Sequence, residues 1–89
     1  MKTTNIREYE HQKNRIKAEK MTLHDEIAQH KNMIRLYKEE IVDLKYHIKN
    51  EETRQRKNQL RFRLGNVRKE IRERTAKIKS DRAEIKKLK

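Results

Sequence analysis

Cysteine is absent, which excludes disulfides, a thiol nucleophile and thiolate metal sites. Proline is also absent and the only glycine is Gly65, so a turn-rich fold lacks its usual residues. A glycine-rich phosphate loop cannot be built from one glycine. Aromatics are 4% and apolar residues 31% of the 89 residues, too few for a sizeable globular core. No apolar run reaches membrane-spanning length, and the N-terminus, Met1-Lys2-Thr3-Thr4-Asn5-Ile6, lacks an apolar signal core. These features predict a cytoplasmic protein that does not engage the membrane.

What is present is charge and periodicity. Charged residues make up 45% of the chain, with 26 Lys+Arg against 14 Asp+Glu and a formal net charge of +12. Such a balance attracts polyanions and acidic protein surfaces. From Ile27 to Ile48 the apolar residues recur in sevens. Ile27, Ile34, Ile41 and Ile48 fall at one core position, a; His30, Tyr37 and Leu44 fall at the other, d. This 3.5-residue repeat is the signature of a coiled-coil seam, which needs only two apolar positions in seven. The same frame runs back through Leu23, Lys20, Ile16, Lys13 and Tyr9 to Ile6, with Lys13 and Lys20 weakening it.

A polar stretch, Lys49 to Gln59, carries no apolar side chain. The repeat then resumes two residues out of frame. Leu64, Ile71, Ile78 and Ile85 occupy a, while Leu60, Val67, Arg74, Asp81 and Leu88 occupy d. One straight seam cannot include both halves, but an antiparallel hairpin can. When residues whose numbers sum to 108 are placed opposite each other, every layer pairs an a with a d. Leu44 then faces Leu64, Ile41 faces Val67, Ile34 faces Arg74, His30 faces Ile78 and Ile27 faces Asp81.

The expected fold is therefore all-α, a single coiled-coil domain over residues 1–89. It is an antiparallel helical hairpin with one helix at about 5–50, a turn near 51–57 and a second helix at about 58–88. An extended parallel coiled-coil dimer is the alternative. A turn at Gly65-Asn66 would lay the second seam against the polar stretch, so Gly65 reads instead as a weak point on an exposed face. A two-helix hairpin of this size is marginal, which predicts self-association, most simply as a homodimer.

No catalytic constellation is present, and the chain reads as a non-enzyme without cofactor or metal. His11, His24, His30 and His47 show no mutual spacing of three or four, so a helical zinc pair is missing. Arg74 and Asp81 sit on the seam, either with heads reaching water or as devices that set register. Charge is uneven along the chain. Residues 1–48 carry 10 Lys+Arg and 8 Asp+Glu; residues 49–89 carry 16 and 6. The densest run, Arg54, Arg56, Lys57, Arg61 and Arg63, lies at the turn and the start of the second helix. Val42, Tyr46 and Phe62 lie off the seam near that basic tip. Aromatics beside arginines are enriched in protein interfaces, so these eight residues form the candidate partner-binding site, with Tyr46 and Phe62 as anchors.

Two kinds of partner fit. One is a larger protein with an acidic surface, which the basic residues would steer into encounter. The other is nucleic acid, bound non-specifically through the basic helix 54–87. A basic leucine zipper does not fit, because Asn58-Gln59-Leu60-Arg61 lacks the small residues that follow that family's asparagine, and the d positions after it are Val67, Arg74 and Asp81. A structural or scaffolding oligomer is a third class. In outline (short, cysteine-free, helical, basic) the whole chain resembles the small phage-encoded proteins that redirect host machinery early in infection. Some of those are adaptor-like modulators of the Clp protease. That resemblance implies a host-cytoplasmic adaptor or inhibitor of a protein machine, such as a Clp-type ATPase.

Overall fold

The periodic halves fold as the heptads require. The computed structural model describes the backbone of residues 2–88 and the side chains of residues 9–88. Helix α1 spans Lys2–Asn50 and helix α2 spans Arg54–Lys87. They pack antiparallel into a rod measuring 78 × 14 × 14 Å. Burial follows the two frames. Ile27, Leu44, Val67 and Ile78 are buried. The remaining seam residues from Ile16 to Ile48 and from Lys57 to Leu88 are half-buried, and nearly every other position is exposed.

The contacts of Arg74 show the register. Its guanidinium donates to His30 Nδ1 at 3.1 Å and lies over the Tyr37 ring, 5.8 Å from the centroid. His30 and Tyr37 bracket Ile34, so Arg74 sits opposite Ile34 as the a-with-d layering requires. The head does not simply escape to water: Arg74 Nε is buried without a hydrogen-bond partner, as is Asp81 Oδ2 in the layer facing Ile27. On one flank Arg63 bridges to Glu40 at 2.8 Å, tying α2 to α1.

The turn is tighter than the spacing predicts. It is Glu51–Thr53, and α2 begins at Arg54, four residues earlier than expected. Side chains supply what glycine usually would. Asn50 Nδ2 donates to the Tyr46 carbonyl at 2.9 Å, satisfying an acceptor in the last turn of α1. Glu51 Oε1 accepts the Thr53 N–H at 3.2 Å, and its other oxygen lies 3.6 Å from Arg56. A carboxylate there also complements the positive end of α2. No described residue has positive φ, including Gly65, which lies inside α2.

Candidate functional site

The heptad letter of each exposed residue gives its direction around the rod. Going round a helix from the seam, e and then b lie on one side, g and then c on the other, and f at the back. In an antiparallel pair the e rows of both helices share one flank and the g rows share the other. The Arg63–Glu40 bridge is a g-with-g contact and identifies the second flank.

The candidate residues from the sequence divide among these faces. Val42 and Tyr46, 67% and 66% exposed, are neighbours one turn apart on the outer side of α1. Phe62, 74% exposed, is level with Tyr46 but at the f position of α2. The two aromatics therefore point away from opposite backs of the hairpin, and one flat partner surface cannot hold both. Arg54 and Arg61 lie on the e flank. Arg56 and Arg63 lie on the g flank, engaged with Glu51 and Glu40. Lys57 is half-buried at a seam position, its N–H donating to the Thr53 carbonyl at 3.0 Å. The basic run is thus a cluster in sequence and is split in space.

Two surfaces come forward that a count along the chain does not show. The first surrounds Phe62. All outward positions of α2 from 55 to 66 are uncharged: Gln55, Asn58, Gln59, Phe62, Gly65 and Asn66. In a chain that is 45% charged this is a local exception. Gly65 adds open backbone, since a Cβ there would meet nothing within 4 Å. Nothing in the hairpin's packing calls for glycine.

The second is the e flank. On α1 its row reads Lys17, His24, Lys31, Lys38, Lys45; on α2 it reads Arg54, Arg61, Arg68, Thr75, Arg82. The bordering b positions add Arg35, Lys49, Arg72, Lys79 and Lys86. From residue 11 to 50 and from 54 to 88, no e or b position holds a carboxylate. Among the described residues the ion pairs lie elsewhere, apart from an exposed Arg35–Glu39 approach of 3.9 Å. A shallow groove lined by Lys31, Ile34, Arg35, Lys38, Glu39 and Val42 runs along this side of α1, with Glu39, at f, on its outer edge. The signal for the flank was present in the heptad assignment, which sets the e and b positions as soon as a and d are known.

Among the described residues no group of three or more His, Asp or Glu is placed to hold a metal ion, and no helix is long and apolar enough to cross a membrane. No protein-family model, curated protein or solved structure matches the chain.

Proposed function

We propose that the chain is a non-enzymatic protein-interaction module that binds and modulates a larger protein, as an adaptor or inhibitor does. The observation that carries this reading is Phe62, the most exposed large apolar side chain among the described residues, at the centre of an uncharged patch on the outer face of α2. An aromatic anchor ringed by polar but uncharged groups matches the anatomy of interface hot spots, where charge is depleted at the core. Gly65, one turn on, lets a partner's surface approach the helix backbone. Arg54 and Arg61 stand at the margin, where charge steers encounter rather than holding the complex. The resemblance to phage proteins that redirect host machinery supports a Clp-type ATPase as one such partner. The Val42–Tyr46 surface, on the opposite back, serves a second copy of the chain.

The test replaces Phe62 with a photo-crosslinking phenylalanine analogue and compares it with the same analogue at Ala83, at an f position outside the patch. One dominant protein captured at position 62 and not at 83 is expected. With that protein purified, Phe62→Ala should weaken binding at least about tenfold, as loss of a hot spot does. An unchanged affinity, with helicity intact, refutes the assignment.

A further inference from the structure

We propose that the e flank of the hairpin, formed jointly by α1 and α2, is a binding site for the phosphodiester backbone of a nucleic-acid duplex. This site adjoins the Phe62 patch and shares Arg54 and Arg61 with its margin, but it does not depend on Phe62. Its rows repeat every seven residues, about 10.5 Å at 1.5 Å per residue. From Lys17 to Lys45 the row covers about 42 Å, the length of roughly 12 base pairs at 3.4 Å each. The flank has the cations that phosphate contacts need, with the exposed Met21 and Val42 as apolar residues at its b margin. It is rich in Lys and Arg, and none of its e and b positions holds an aromatic residue or a carboxylate. Lysine is depleted from protein–protein interfaces, whereas lysine and arginine supply sequence-independent contacts to phosphates.

The geometry adds an energetic argument. In the a-with-d register, Lys45 lies across from Arg61 and Lys38 from Arg68. Like charges facing each other across two helices oppose the packing. A polyanion laid along the flank removes that opposition and releases its own counterions. The g flank shows the contrary arrangement, with Arg63 neutralised by Glu40 at 2.8 Å.

The experiment measures binding of the full chain to a fluorescent 24-base-pair DNA duplex and to the matching RNA duplex at 50–200 mM NaCl. Affinity should fall on the order of 100-fold across that range, the loss for about four phosphate contacts. Tighter binding of either duplex supports the site and names its source. The triple variant Lys31→Glu, Lys38→Glu, Lys45→Glu should lose at least about tenfold, with a salt slope shallower by about 2.7. It should also melt higher than wild type, because glutamates at 45 and 38 then face Arg61 and Arg68, while position 31 faces the neutral Thr75. That rise separates lost binding from lost folding. The Gln triple at the same positions should lose affinity in the same direction. A charge-matched control, Lys69→Glu, Lys77→Glu, Lys87→Glu, lies off the flank and should lose much less. Equal losses in the two Glu triples would reduce the effect to net charge and overturn the site. Displacement of the duplex by polyglutamate at matched charge concentration would overturn it in favour of an acidic protein. Absence of duplex binding at 50 mM NaCl would also overturn it.

Discussion

Gly65→Ala provides a sharp test of both the fold and the partner surface. Glycine inside an exposed helix costs about 1 kcal/mol relative to alanine. Relief of that cost is usually reduced by steric conflict or by an unfavourable φ, and neither applies here. An added Cβ meets nothing within 4 Å, and Gly65 has no positive φ. The full gain of about 1 kcal/mol is therefore expected, much of it through the lower entropy of the unfolded chain. For a domain of this length that raises Tm by about 4–8 °C. Far-UV circular dichroism melts at one fixed protein concentration provide the assay, since self-association would make Tm concentration-dependent. Ala76→Gly, at an exposed f position of the same helix, is the mirror control and should lose a similar amount. If Ala76→Gly lowered Tm while Gly65→Ala left it unchanged or lower, α2 would not run continuously through residue 65, and the hairpin as described would be wrong. The same variant should weaken binding to the partner captured at Phe62, because the new methyl group projects into the uncharged patch. Unchanged affinity would show that no surface approaches the backbone there.

Asp81→Leu should stabilise the hairpin by about 2 kcal/mol, since it removes a buried carboxylate oxygen without a partner and places an apolar side chain against Ile27. A lower denaturation midpoint in urea would show that Asp81 is satisfied in solution. Raising NaCl from about 10 to 150 mM should raise Tm by screening the repulsion along the e flank. A fall in Tm would mean that bridges such as Glu40–Arg63 outweigh that repulsion. Glu51→Ala should cost about 1 kcal/mol, because the carboxylate both accepts the Thr53 N–H and holds Arg56 at the start of α2. An unchanged melt would assign the tightness of the turn to the helices alone.

The seam was legible from the residues because a coiled coil writes its packing at two positions in seven, and the two-residue frame shift demanded a reversal. Arg74, held between His30 and Tyr37, sits where the register arithmetic puts it. The turn was less legible. Polar residues from 49 to 59 mark a break but not its length, which depends on one Glu51 carboxylate reaching two groups at once. The candidate site was legible residue by residue and not as a surface. Tyr46 and Phe62 are both off the seam and level with each other, yet each sits at an f position, and f positions of paired helices diverge. Level along a rod says nothing of angle around it.

Charge makes the same distinction sharper. Counted along the chain, the second half carries most of the excess, which points to α2 as the basic element. Counted around the rod, the cations of α2 separate. Arg56 and Arg63 lie on the g flank and engage Glu51 and Glu40, Lys57 and Arg74 occupy the seam, and Arg54, Arg61, Arg68 and Arg82 join the lysines of α1. The chain has 14 carboxylates available. Placing a few of them at e positions would convert facing repulsions into bridges like that of Glu40 with Arg63, each worth a few tenths of a kcal/mol. A two-helix hairpin with four buried side chains has little stability to spare. Solubility alone needs net charge, and it does not require that the charge be segregated by face. An arrangement that opposes its own packing is accounted for by a demand from outside the hairpin, and a flank kept free of carboxylates answers to the polyanion proposed for it.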